Sequence, residues 1–113
     1  MKYINEIRLS GCAGSVPTEQ ESDSEMVIQF PLSCNETVHL DNGNEAIKTH
    51  WFRIKTKDKV IGDKIRSLSI ATGDNVLITG SLAQDNYKDT EGIERPGITI
   101  NVKDVQILKK VKR

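Results

Sequence analysis

Thr49-His50-Trp51-Phe52-Arg53-Ile54-Lys55-Thr56-Lys57 interleaves β-branched and aromatic residues with cations and contains the chain's one tryptophan. Strand side chains alternate with a period of two, so one face would carry Trp51, Arg53, Lys55 and Lys57, and the other His50, Phe52, Ile54 and Thr56. The second set is apolar enough to turn toward a core. Directly after it, from Asp58 to about Ala71, the period changes. Ile61, Ile65 and Leu68 recur at helical spacing and would line one face of a short helix, although Gly62 weakens it.

A strand that gives way at once to a helix sets the frame for the rest of the chain. Upstream, Tyr3 to Cys12 reads as a first strand running into a bulge or turn at Gly11 and Gly14. Residues 15–25 are polar and acidic, as in a solvated loop. Met26 to Cys34 resumes alternation, with Met26, Ile28, Phe30 and Leu32 on one side and Pro31 opposite, at an edge or bulge. A second polar loop follows, with the turn signal Asp41-Asn42-Gly43-Asn44. Downstream, Thr72-Gly73-Asp74 stops the helix and Asn75 to Leu82 returns to strand, with Val76, Ile78 and Gly80 on one face. Asp85 to Gly97 is a long polar connection. In the last strand, Gly97 to Leu108, Ile98, Ile100 and Val102 point inward, and the phase shifts around Lys103-Asp104 before Val105, Ile107 and Leu108. Three strands, a helix and two strands is the order of the OB-fold, an all-β, five-stranded, partly open barrel whose helix lies between strands three and four. The predicted division is one domain over residues 1–108 and a basic extension over 109–113.

A chain of 113 residues with 36% hydrophobic residues fits one core. Formal net charge is zero, from 16 basic and 16 acidic residues, so total charge does not point to nucleic acid. Its distribution does. Between Arg8 and Lys48 there is no Lys or Arg, whereas residues 48–66 carry Lys48, Arg53, Lys55, Lys57, Lys59, Lys64 and Arg66 against Asp58 and Asp63. The chain closes on Lys109-Lys110-Val111-Lys112-Arg113. Local charge sets the field a ligand meets, so a neutral chain can carry a cationic groove. An indole sharing a face with cations suits a single-stranded nucleic acid, whose bases stack while its phosphates meet Lys and Arg.

Other chemistries find little support. Cys12 and Cys34 belong to no Cys-x-x-Cys pattern and read as free thiols. His39 and His50 lack partners at ligand spacing, and Asp85, Asp89 and Glu91 do not fit a calcium loop, so neither metal nor cofactor is expected. Ser10 with the histidines lies in no catalytic motif, and no enzymatic activity is expected. Gly11-x-x-Gly14 more simply permits a bulge than a nucleotide site. Without a membrane-length apolar run or a secretion layout, a soluble cytoplasmic protein is expected, in which the Asn35-Glu36-Thr37 acceptor pattern has no consequence.

Taken in order, the motifs resemble the bacterial-type single-stranded DNA-binding proteins. Asn5, Ile7, Leu9, Gly11 and Gly14 fit the family's opening strand, and Thr49, Trp51 and Arg53 its third. Gly73, Asp74, Val76, Ile78, Gly80 and Leu82 fit the step and strand after the helix. The resemblance covers nearly all of residues 3–108. It implies single-stranded DNA binding in replication, recombination or repair. The expected site has Trp51 and Tyr87 stacking bases, with Arg53, Lys55, Lys57, Lys59, Lys88 and Arg95 on phosphates. It also implies a homodimer or homotetramer through strand-one edges, with Phe52 near an interface, and replication or recombination proteins as partners. Glu36 and Lys57 stand where the family commonly has further stacking aromatics. The family's acidic, Phe-tipped tail is not matched, which brings plasmid or phage forms and the related primosomal replication protein B into view. On the residues alone other readings stay open: a core or interface indole at Trp51, a Tyr87 that covers a hairpin, a protein-interaction OB module, and an OB-fold nuclease.

Overall fold

The computed structural model describes residues 2–111. Along the chain it forms β1 (Ile7–Ala13), β2 (Thr18–Ser22), β3 (Glu25–His39), β4 (Glu45–Thr56), α1 (Lys59–Leu68), β5 (Asn75–Gln84), β6 (Tyr87–Lys88), β7 (Glu94–Arg95) and β8 (Ile98–Lys109). Alternating sequence becomes alternating burial: Val76, Ile78 and Gly80 on β5 are buried, and Leu77, Thr79 and Ser81 less so. β1, β3, β4, β5 and β8 are the five expected strands, and α1 lies between the third and fourth.

Their pairings run round a ring. β1 pairs β5, β5 pairs β8 and β3 pairs β4, all antiparallel, while β8 meets β4 in parallel through Ile54↔Ile100 and Lys55↔Asn101. β1 closes on β3 through Cys12↔Ser33 and Ala13↔Leu32. This is the all-β OB-fold barrel, with two narrow seams. Backbones must come close where strands cross: a Cβ on Gly11 would strike the Ser33 carbonyl, and one on Gly80 that of Asn101. The phase change in β8 is a bulge. Thr79 pairs Asp104 but Gly80 pairs Val102, leaving Lys103 as the extra residue, so that Val102 and Val105 both reach the core.

Phe30, Leu32, Ile54, Ile78, Ile100 and Val105 fill the interior, each stabilising the fold by about 1.5–3 kcal/mol. α1 packs on the barrel through buried Ile65, and Gly62 lies against the Ile28 side chain. Asp58 caps the helix by accepting from the Ile61 N–H at 3.0 Å, and Ser69 ends it in the left-handed conformation, φ 50.

Several local expectations are corrected. Residues 15–25 are not a loop throughout, because β2 pairs β3 from Thr18↔Gln29 to Ser22↔Glu25 around Asp23 and Ser24, both at positive φ. Nor does strand one begin at Tyr3: β1 starts at Ile7, and the Asn5 amide exchanges two hydrogen bonds with the Leu82 backbone, at 2.9 and 3.0 Å. Met26, Ile98 and Leu108 are exposed, while Val27 and Thr99 are buried in their neighbourhoods. The polar connection of residues 85–97 contains the β6–β7 hairpin. Pro31 sits where β3 exchanges one neighbour for another, β2 ending at Gln29 and β1 beginning at Leu32. Its carbonyl accepts from Gly14 at 2.8 Å, so the missing N–H faces that gap rather than β4.

β8 runs to Lys109, and Asp74 holds the residues after it, accepting from the Val111 N–H at 2.8 Å with Lys110 Nζ at 3.4 Å. Lys112 and Arg113, the end of the expected basic extension, lie outside the described residues. Among the described residues no helix is long and apolar enough to cross a membrane.

Candidate nucleic-acid interface

β4 lies between β3 and β8 and presents its odd positions outward, as its alternation requires: Ile54 and Thr56 are buried, Trp51 is 62% exposed and Arg53 is exposed. Gly14 and Pro31 form the seat of the indole. A Cβ on Gly14 would come within 2.6 Å of the Trp51 ring, so only glycine lets the ring lie down there. A groove of about 570 Å³ runs beside it, walled by Ser15, Thr18, Gln29, Pro31, Trp51 and Arg53. Arg53 stands opposite Pro31 in register and, among the described residues, has no carboxylate within 4 Å. The groove can therefore offer one aromatic plane and one uncompensated guanidinium.

The remaining expected cations divide. Lys55 Nζ is 2.6 Å from Asp85 Oδ2, a half-buried pair that ties the base of the β6–β7 hairpin to β4. Lys57 lies 3.7 Å from Glu25. Arg95 Nε is 2.9 Å from Asp89 Oδ2, and that bond, helped by the Ile93 amide, holds the Asp89 carboxyl below its usual range. Each of these three expected phosphate ligands therefore stands beside a carboxylate, unlike Arg53. Lys59 and Lys88 are exposed and unpaired among the described residues. Lys59 lies on the first turn of α1, beyond the far end of β4. Tyr87 is 48% exposed with its ring against the Gly97 backbone, where a Cβ would come within 3.1 Å of it. It both covers the hairpin and shows a ring to solvent.

Glu36 does not share the face of Trp51. Register pairs Glu36 with Lys48, on the His50 and Phe52 side, and its carboxylate lies 3.7 Å from His50 Nε2. The Trp51 side carries Asn35 instead, whose oxygen accepts from the Thr49 hydroxyl at 2.9 Å. His50 stacks on half-buried Phe52 with ring centroids 6.4 Å apart. The groove wall supplied by Ser15, Thr18 and Gln29 escaped the sequence reading, because those residues come from segments taken as loop or as the back of a strand. The signal for it was Gly14 and Pro31, two residues that leave room for a ring. No group of three or more His, Cys, Asp or Glu that could hold a metal occurs among the described residues.

Comparison with known proteins agrees with this architecture. The mitochondrial single-stranded DNA-binding protein of Drosophila melanogaster is 21% identical over 104 residues, covering 92% of this chain and 70% of its own length. A solved structure described as Plasmodium falciparum SSB in complex with ssDNA superposes with a TM-score of 0.81 at 25% identity, covering 96% of this chain and 98% of that one. The small single-stranded DNA-binding protein of Streptomyces coelicolor shares the fold, with a TM-score of 0.67 at 19% identity over 95% of both chains. The sequence model of the single-strand binding protein family matches residues 4–108, and with that nearly complete span this chain belongs to the family.

Proposed function

We infer that the protein is a non-enzymatic binder of single-stranded DNA with little sequence preference, acting in replication, recombination or repair in the cytoplasm. The observation that carries this is the exposed Trp51 indole, seated on Gly14 and Pro31 beside an unpaired Arg53, in a chain of this family. Trp51 stacks a base, Arg53 takes the adjoining phosphate, and Tyr87 with Lys88 on the β6–β7 hairpin extends the contact. Lys59, on the first turn of α1 past the end of β4, supplies a further cation. Copies associate through β1, whose residues Ile7–Gly11 pair β5 alone among the described residues.

Quenching of Trp51 fluorescence by a deoxythymidine oligomer at low salt is the test, with affinity falling as salt rises because phosphate contacts release counterions. Absence of quenching, or equal affinity for duplex DNA, overturns the reading. A protein-interaction module is the second reading, favoured by the pairing of Lys55, Lys57 and Arg95 with carboxylates. Trp51→Ala separates the two. Loss of about 1–3 kcal/mol toward a labelled oligomer, with the fold intact, supports DNA stacking.

A further inference from the structure

The strand registers place five residues in one line across the barrel. Trp51 pairs Ser33, Ser33 pairs Cys12, Cys12 pairs Asn75, and Asn75 pairs Lys109. Directly paired residues share a face, and neighbouring strands lie about 4.8 Å apart, so the line runs roughly 19 Å from the indole to the lysine. It is short-chained and free of carboxylates between its ends. The Trp51 ring already reaches across β3 to Gly14, two residues past Cys12 in the chain. At the far end Cys12, Gly73, Asn75, Lys109, Lys110 and Val111 line a hollow of about 460 Å³. The Cys12 thiol is exposed. Lys109 is exposed and has no carboxylate within 4 Å among the described residues, whereas Lys110 is bound to Asp74 and to the Ser69 carbonyl at 3.1 Å.

We propose that single-stranded DNA crosses the barrel from Trp51 over Ser33 and Cys12 to Lys109, so that the hollow at Cys12 is a second phosphate-binding stretch of the same site. This rests on the single-stranded DNA reading and deepens it. The occupant is chosen by charge and continuity: a cation stands at the end of an unobstructed, small-residue path that begins at the stacking platform. A path along β4 alone instead meets Lys55 and Lys57, both compensated by carboxylates.

The test uses a Cys34→Ser variant, which leaves Cys12 as the sole thiol. The hydroxyl can keep the bond that the Cys34 thiol makes to the Ser10 carbonyl at 3.3 Å. A deoxythymidine oligomer of about 16 nucleotides is titrated in while Trp51 fluorescence and the rate of maleimide labelling are followed together. Labelling is expected to slow about tenfold at about ten times Kd, along the same curve as the quenching. Lys109→Gln should make the logarithmic salt dependence shallower by about 0.7, the share of one phosphate contact on a single strand. Full quenching with unchanged labelling overturns the path, as does an unchanged salt slope in Lys109→Gln. A thiol that fails to react before DNA is added overturns it too, because another copy of the chain then covers the hollow. No quenching at all defeats the single-stranded DNA reading itself, a result distinct from these.

Discussion

Arg53 and Lys55 stand two positions apart on one face of β4, yet their surroundings give them different roles. Arg53 faces Pro31 with no acid nearby, while Lys55 is held 2.6 Å from Asp85. A cation already neutralised by a carboxylate releases few counterions from DNA. Arg53→Gln should therefore flatten the logarithmic salt dependence of oligomer binding by about 0.7, and Lys55→Gln should leave it nearly unchanged. Asp85→Asn should steepen it by releasing the lysine. Salt titrations of the three variants decide the matter, and equal slopes for Arg53→Gln and Lys55→Gln would contradict the assignment. The residue types on this face were legible because a strand's period of two is strict. Their charge environment was not, because Asp85 lies just past the end of β5 and only the fold brings it to β4.

At the scale of elements, legibility followed burial. β3, β4, β5, β8 and α1 each bury one face and so imprint a period on the sequence, and even the Lys103 bulge showed as a break in phase. β2, β6 and β7 bury little, and β6 and β7 have two residues each, too few to show any period. The β2 wall of the groove and the β6–β7 hairpin were thus the parts that alternation could not reveal. The helix start was readable from Asp58, whose carboxylate accepts from the Ile61 N–H and answers one of the donors a helix leaves open. Asp58→Ala should lower stability by about 1 kcal/mol. In urea unfolding this appears as a lower midpoint at unchanged slope, and an unchanged midpoint would show that the cap contributes nothing.

Across the whole molecule, four carboxylates are held below their usual range, and three of them join separate parts of the fold. Arg66 on α1 lowers Glu19 on β2, mainly by its hydrogen bond, and Lys64 on α1 likewise lowers Asp104 on β8. The Val111 and Ala71 amides lower Asp74, with Lys110 assisting, and Arg95 lowers Asp89 within its hairpin. A carboxylate whose folded value is depressed binds fewer protons folded than unfolded, in the interval between its two values. Stability therefore rises with pH through that interval, is fully present above the unfolded value, and is lost as pH falls through the folded one. The thermal midpoint should be nearly flat near neutrality and drop steeply below about pH 4, where unfolded carboxylates begin to take up protons. Asp74→Asn should lower the neutral plateau and make the acid limb shallower, because one proton-linked group is gone. A midpoint that rises on acidification below that point would mean that these bridges do not hold β2, α1, β8 and the chain's end to the barrel.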